Sequence, residues 1–370
     1  MSDPAVLPAP GPVAVVGTGL IGTSIALAAR AAGAEVRGFD PDAEALAGAQ
    51  DRGALVPAGS LEEAVAGATV AIVASPMDRV VEAVLACLRA DPHVIVTDAG
   101  SSKSDVVRAV GSEASVAEAA RFVGGHPMTG SERSGPGAAS ASLLDGTVWV
   151  LCPGEGSDPS AVATVEALVR AVGAQPLTMD ASRHDRLVAL ISHLPQLAST
   201  AMMRVAAVRA AGEPELLMMA AGGFRDLTRL AASNPELWPD ILLANADRAR
   251  EAIDAYIEAL NQLGQLLERR DREALVDVFR RSKDARLALG ARPQAKVGVA
   301  ILSVPIPDRP GVLADITSIL GERDINIEDL EIVHSAEGAK GTLHATVAEG
   351  DADTALEALA ARGYEVGRLA

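Results

Sequence analysis

Short apolar runs separated by helical spacings fill the first half of the chain. Residues 13–16 (Val-Ala-Val-Val) are apolar without alternation, which predicts a strand buried on both faces. Runs at 35–39, 70–74, 94–97, 122–123 and 148–151 continue the series, with helical stretches at 21–32, 61–65 and 79–89 between them. This alternation predicts an α/β fold, a mostly parallel sheet with helices on both faces. Near Asp180 the pattern changes, and helix-forming residues dominate to about Leu289. Ile253, Ile257, Leu260, Gly264 and Leu267 recur on one helix stripe, while Gly222–Gly223, Asn234–Pro235 and Trp238–Pro239 are breaks. An all-helical second domain is expected, its stripe buried inside the monomer or against a second subunit.

Beyond Pro293 the period changes again. Strand signals at 299–304, 330–334, 341–347 and 365–369 alternate with helical ones at 312–322 and 354–361, the βαββαβ order of a small ligand-binding or regulatory module. The expected division is a flexible leader 1–11, a nucleotide domain 12–179, a helical domain 180–290, a linker 291–296 and a C-terminal module 297–370.

Composition narrows the chemistry. Among 370 residues, 49% are hydrophobic and 22% charged, which excludes a mainly disordered chain. Aromatic residues are only 2%, so the cores must be built from Ala, Val, Leu and Ile. Thirty-two basic against 49 acidic residues leave a net charge of −17, a poor match to a phosphate backbone, so nucleic-acid binding is excluded as the main task. Residues 297–370 carry 13 acidic and 5 basic residues, a net −8, so this module has a different surface from the rest. Two cysteines, Cys87 and Cys152, make neither a disulfide scaffold nor a zinc motif, and a reducing cytoplasm is the expected compartment. The first ten residues lack the basic and apolar regions of a signal peptide, and every apolar run is too short to cross a bilayer. No His/Cys/Asp/Glu cluster has metal-ligand spacing, so no metal is expected.

Gly17-Thr18-Gly19-Leu20-Ile21-Gly22 follows the first strand and opens the first helix. Gly17 permits the tight turn, Gly19 the approach of a pyrophosphate, and Gly22 close helix–strand packing, with helix amides supplying donors. Asp40 ends the second strand, where its carboxylate can accept from ribose hydroxyls. With Asp42 nearby and no basic residue between them, a ribose phosphate would be repelled, which favours NAD over NADP. Ser75 and Pro76 follow another strand and are candidates for cofactor contact. Asp98-Ala99-Gly100-Ser101-Ser102-Lys103 places short polar groups at the same edge, and reads equally as a helix entry capped by serine.

The most informative segment is Gly125-His126-Pro127-Met128-Thr129-Gly130-Ser131-Glu132, read as a loop after the strand at 122–123. Together with the glycine turn, it resembles the prephenate dehydrogenase family, arogenate-using relatives included. The resemblance extends in order through residues 98–103, Ser192-His193-Leu194-Pro195, Gly223-Phe224-Arg225-Asp226-Leu227-Thr228-Arg229 and Asn234-Pro235-Glu236-Leu237-Trp238, covering about residues 12–290. It implies a Rossmann-type domain followed by a helical domain that builds a homodimer, and NAD-dependent oxidative decarboxylation of prephenate to 4-hydroxyphenylpyruvate in tyrosine biosynthesis. By the same resemblance His126 accepts a hydrogen bond or proton from the substrate 4-hydroxyl, and Ser101 orients hydroxyl, histidine and nicotinamide. Arg229 grips a substrate carboxylate, which suits an always-protonated guanidinium. His193, Ser131, Glu132 and Trp238 match substrate-pocket positions. Gln196 departs from the family, which often has a second histidine there, and this puts the choice between prephenate and arogenate in doubt. His184, nine residues from His193, is expected to face the other way as a surface or capping group.

Residues 299–370 resemble an ACT domain. The signature is Asp308-Arg309-Pro310-Gly311-Val312-Leu313, with Asn326-Ile327 after the first helix, and it implies an amino-acid effector such as tyrosine at these residues. Two other classes fit parts of the sequence: a catalytically idle amino-acid sensor, and a hydroxy-acid or imine reductase. The pairing of His126 with Arg229 argues against the first, and the ordered family segments against the second.

Overall fold

The computed structural model describes residues 9–129, 134–213, 215–289, 299–307, 309–334 and 340–369. Ser131, Glu132 and Asp308 lie outside the described residues. The chain divides into two compact units, residues 1–208 with 228–257, and residues 209–227 with 258–370.

The first unit is built on an eight-stranded sheet. In chain order its strands are β1 (Val13–Val16), β2 (Val36–Phe39), β3 (Val56–Pro57), β4 (Val70–Val73), β5 (Ile95–Asp98), β6 (Phe122–Pro127), β7 (Val148–Pro153) and β8 (Gln175–Thr178). Their spatial order is β3-β2-β1-β4-β5-β6-β7-β8, and every pair is parallel except β6 with β7. The all-apolar reading of residues 13–16 holds because both faces are covered. Val13 and Val15 join a core with Ile25, Ile72, Leu151 and Leu168, while Ala14 and Val16 join one with Val84, Leu88, Val96 and Phe122. The first helix, Leu20–Ala31, starts directly at the glycine turn.

Three expectations need correction. The short strands β3 and β8 gave too weak an apolar signal to be anticipated: Val56–Pro57 has two residues, and β8 is largely exposed. The strand at 122–123 continues to Pro127, because Val123 to Pro127 pair antiparallel with Pro153 to Trp149. His126 therefore sits on a strand, not on the loop beyond it. Gly124–Gly125 hid this, since glycine is a poor strand former. At Gly125 an added Cβ would lie 2.5 Å from the Asp98 carbonyl oxygen and 2.8 Å from Trp149 Nε1, so the sheet and its neighbours leave no room for a side chain.

Asp180 marks the change to helix as the sequence suggests, capping Ala181–Val188 by accepting from the Arg183 amide. A π-helical stretch, Ala189–His193, then leads into Leu194–Ala210. The long helix Ala246–Arg269 carries the expected stripe, and its Ile257, Leu260 and Leu267 are exposed in the single chain. No described helix is long and apolar enough to cross a membrane.

The second unit contains a four-stranded sheet of β9 (Val299–Pro307), β10 (Ile327–His334), β11 (Lys340–Ala348) and β12 (Gly367–Leu369), ordered β10-β11-β9-β12 with all pairs antiparallel. Helices Val312–Gly321 and Ala352–Ala361 pack on it through Ile316, Leu320, Ala355 and Leu359. The expected βαββαβ order is present.

Candidate active site

Parallel pairing places the ends of β1, β4, β5 and β6 at one edge of the sheet, where ligands of open α/β sheets gather. The glycine turn after β1 fits a dinucleotide. Gly17 has φ +94° and an added Cβ would sit 2.5 Å from the Ala74 carbonyl oxygen; at Gly22 it would sit 1.9 Å from that of Gly17. At Gly19 it would meet nothing within 4 Å, which leaves the backbone open where a pyrophosphate would lie against the helix start. Leu20 and Ile21 begin that helix. Asp40 holds the turn from below: one carboxylate oxygen accepts from the Thr18 amide at 2.6 Å and hydroxyl at 3.1 Å, the other from the Asp42 amide at 2.9 Å. A carboxylate has about four acceptor positions, so Asp40 keeps room for one ribose hydroxyl, and for a second when the Thr18 hydroxyl turns away. Ser75 Oγ, just beyond β4, is buried without a partner among the described residues, as a group reserved for a ligand would be, whereas Pro76 is exposed.

At the end of β5, Asp98 is a clamp. Its carboxylate accepts from the Gly100 amide at 3.0 Å, from the Gly125 amide at 3.0 Å and from Lys103 Nζ. Both partners of the Asp98–Lys103 ion pair have fully buried side chains. One carboxylate thus joins the loop bearing Ser101 to the strand bearing His126. The Ser101 and Ser102 hydroxyls are buried without partners among the described residues. The reading of this loop as a serine-capped helix entry is overturned, because the cap comes from afar. The Lys103 and Ser104 amides, which open helix Ser104–Glu113, each donate at 2.8 Å to Asp185.

His126 is half-buried, and its Nδ1 lies 2.9 Å from Nε2 of His184. His184 Nδ1 in turn lies 2.8 Å from Asp185 Oδ1. His184 is therefore neither a surface group nor a cap; it is 1% exposed. Nine α-helical steps of about 100° would set His184 and His193 about 180° apart. The π stretch between them advances less per residue, and both side chains are buried. Nothing in residue type announces that stretch. Burial holds the His126 ring well below the usual imidazole range, reinforced by His184, Lys103 and His193 and opposed by Asp185. His126 is thereby an unprotonated base at neutral pH. Burial pushes Asp185 upward, but hydrogen bonds from His184, Ser104 and Lys103 outweigh it and keep the carboxyl below its ordinary value.

On the helical side lie the other residues expected in the pocket, His193, Gln196, Trp238 and Arg229. His193 is 1% exposed; Trp238 packs edge-on against its ring with centroids 6.5 Å apart. The Asn245 side-chain amide lies 3.5 Å from His193 Nδ1 and donates to the Asp185 carbonyl at 2.9 Å. His193 Nε2 is buried with no partner among the described residues, and burial lowers the pKa of the ring. Gln196 Nε2 donates to the Leu230 carbonyl at 2.9 Å, and Ser199 Oγ accepts from the Ala231 amide at 2.9 Å. These bonds tie the short 3-10 turn Arg229–Ala232 to helix Leu194–Ala210. The Arg229 side chain itself is exposed. Among the described residues no group of three or more His, Cys, Asp and Glu could hold a metal ion.

In the second unit, Gly311 has φ +93° and starts helix Val312–Gly321. Arg309, Pro310 and Leu313 are exposed, but Val312 lies in the core and offers a ligand only its backbone. Asn326 donates to Glu328 at 2.7 Å, and Ile327 is half-buried. Arg309 also lines an open cleft with Asp315, Arg362 and Tyr364, where the Tyr364 hydroxyl donates to Asp315 at 2.6 Å and Arg362 pairs with Glu322.

Comparison with known proteins adds three matched segments. Residues 25–177 match the prephenate dehydrogenase nucleotide-binding domain, 180–281 the prephenate dehydrogenase dimerization domain, and 300–363 the ACT domain. Prephenate dehydrogenase of Bacillus subtilis is 33% identical over 337 residues, 90% of each chain. The crystal structure of prephenate dehydrogenase from Aquifex aeolicus, in complex with hydroxyphenyl propionate and NAD+, superposes with a TM-score of 0.70 at 28% identity. That match covers 75% of this chain and 98% of that one. Synechocystis arogenate dehydrogenase gives a TM-score of 0.67 at 26% identity, covering 75% and 99%.

Proposed function

Because the chain belongs to the prephenate dehydrogenase family, we propose that it oxidises prephenate with NAD, releasing 4-hydroxyphenylpyruvate and carbon dioxide. The observation that carries this reading is one sheet edge holding an open dinucleotide turn, unpartnered serine hydroxyls and an unprotonated His126. NAD, when bound, supplies the electron sink that accepts hydride from C4 of the substrate. The imidazole of His126 takes the 4-hydroxyl proton as that hydride leaves, which stabilises the positive character developing at C4. Loss of the ring carboxylate leaves its bonding pair to complete the aromatic ring, and His126 returns the proton to oxygen. Ser101 orients the hydroxyl, and its free Oγ supports that role. Arg229 orients a carboxylate without being the drive for its loss, since too strong a grip on the ring carboxylate would favour the ground state. His193, with Trp238 against its ring, lines the pocket; Ser131 and Glu132 complete it by family resemblance alone.

Arogenate is a second reading, supported by the similarity to Synechocystis arogenate dehydrogenase and to a cyclohexadienyl dehydrogenase of Zymomonas mobilis. Gln196 donates one amide hydrogen to Leu230 and accepts from Ser233 at 3.4 Å, which leaves its second amide hydrogen for a substrate tail. We further infer a homodimer through the helical domain, supported by the exposed stripe of helix Ala246–Arg269, and a cytoplasmic setting. The functional division follows residues 12–179, 180–290 and 297–370. A tyrosine effector would bind the ACT domain near Arg309, where cationic and acidic side chains line one cleft.

The decisive experiment assays the purified chain with prephenate and with arogenate, each with NAD and NADP, following reduced cofactor, carbon dioxide and aromatic product. NAD-dependent turnover of prephenate is expected; turnover of arogenate alone would establish the second reading. Reduction without carbon dioxide loss would reject both. Tyrosine added to the same assay should slow it, and unchanged rates together with no tyrosine binding would remove the effector role.

A further inference from the structure

An uncharged imidazole has one protonated and one bare nitrogen, and only the bare one can accept a proton. The role given to His126 therefore depends on which nitrogen carries hydrogen. We propose that His184 and Asp185 are positioning residues that hold His126 with hydrogen on Nδ1 and a bare Nε2 toward the substrate. This rests on the proposed role of His126 and extends it to the two residues that follow it in the hydrogen-bonded chain.

Asp185 can only accept, so His184 Nδ1, 2.8 Å from Oδ1, is the protonated nitrogen. In the uncharged ring His184 Nε2 is then an acceptor, and at 2.9 Å it takes the hydrogen of His126 Nδ1. The remaining nitrogen of His126 is left bare. Asp185 cannot turn away from this task. The Lys103 and Ser104 amides hold its two oxygens at the start of helix Ser104–Glu113, where the helix dipole favours negative charge, and Asn245 holds its carbonyl. The rings of His126 and His184 meet edge-on at 75°, with centroids 5.1 Å apart.

The charged and titratable groups around His126 have opposing effects. Lys103, His184 and His193 oppose a positive charge on its ring and Asp185 favours it. A proton taken from the substrate oxygen is thus held briefly and given back.

The test uses the full-length enzyme and three substitutions, His184→Ala, His184→Gln and Asp185→Asn. Glutamine can face its carbonyl to His126 and its amide to Asp185, and the reverse orientation would leave the acceptor-only carboxylate without a donor. His184→Ala and Asp185→Asn should lower kcat by about 10- to 100-fold, the loss typical of removing a group that orients a functional histidine, with KM nearly constant. His184→Gln should recover most of the loss. Nitrogen-15 NMR of histidine-labelled wild type, with His126→Asn for assignment, should show hydrogen on Nδ1 of His126, and a shift toward Nε2 in His184→Ala. Hydrogen on Nε2 in the wild type would overturn the proposal. So would full kcat in His184→Ala, or equal losses in the alanine and glutamine variants when both still bind NAD. A wild type inactive on prephenate would count against the substrate assignment, and the NMR reading would still decide the tautomer.

Discussion

At the strand ends, Asp98 gathers the Gly100 and Gly125 amides and the Lys103 ammonium, and a further chain runs from His126 through His184 to Asp185. On the helical side, His193 Nε2 has no partner among the described residues and the Arg229 side chain is exposed. At the strand ends the carboxylates and the His126 ring are already held by neighbours, while the Ser101 and Ser102 hydroxyls have no partner among the described residues. Groups that move protons benefit from a fixed orientation, because a misplaced base loses rate steeply. Groups that recognise a charged substrate can complete their hydrogen bonds on binding. On the proposed roles, the contrast sets the residues of the chemical step against those of recognition.

Mutations can break that contrast. His126→Ala should lower kcat by about 10²- to 10⁴-fold, the usual share of a general base, and leave KM within a few-fold in steady-state assays. Lys103→Met leaves the Asp98 carboxylate buried without its cation, and should cost about 3–5 kcal/mol in denaturant unfolding. Arg229→Ala should do the opposite, changing stability little because the side chain is exposed. Its kcat/KM should fall roughly 10- to 100-fold, as expected for losing a charge-assisted hydrogen bond of about 1.5–3 kcal/mol. An Arg229→Ala variant with normal kinetics, or a Lys103→Met variant with normal stability, would erase the distinction.

Acid sharpens it more gently. His126 and His193 titrate below the ordinary 6.5 in the folded chain, so the unfolded chain binds more protons just below that pH. Their contribution to stability is complete above pH 6.5 and is lost as pH falls toward their folded values. Melting temperature should decline from that point downward, and kcat/KM should stay flat through neutrality with its acid limb below 6.5. The smallest effect is expected from thiol reagents. Burial pushes Cys87 and Cys152 up to about 12, so the folded enzyme should resist alkylation and keep its activity, whereas the unfolded chain should react at both.

The strand-end region was the more legible of the two only in part. The glycine turn, β1 and the segment bearing His126 are local signals, fixed by backbone needs and short apolar runs. Asp98 and Lys103 stood in a recognisable segment, but their mutual burial is a consequence of three strands meeting and leaves no mark on spacing. The cap on helix Ser104–Glu113 comes from Asp185, 81 residues away from Ser104, which no local capping rule can find. His184 was misread for a geometric reason: the π turn changes the phase of its helix, and periodicity arguments assume a constant one. In the C-terminal module the apolar alternation revealed the strands, yet Val312 in the expected ligand loop proved to be core, because the same residue starts the amphipathic stripe of its helix.

The most direct test of the central claim is the stoichiometry of a single reaction: purified wild-type chain, NAD and prephenate labelled in the ring carboxyl. One labelled carbon dioxide should be released for each NADH formed, with both signals collapsing together in His126→Ala. NADH formed without labelled carbon dioxide, or both signals unchanged in His126→Ala, would contradict it.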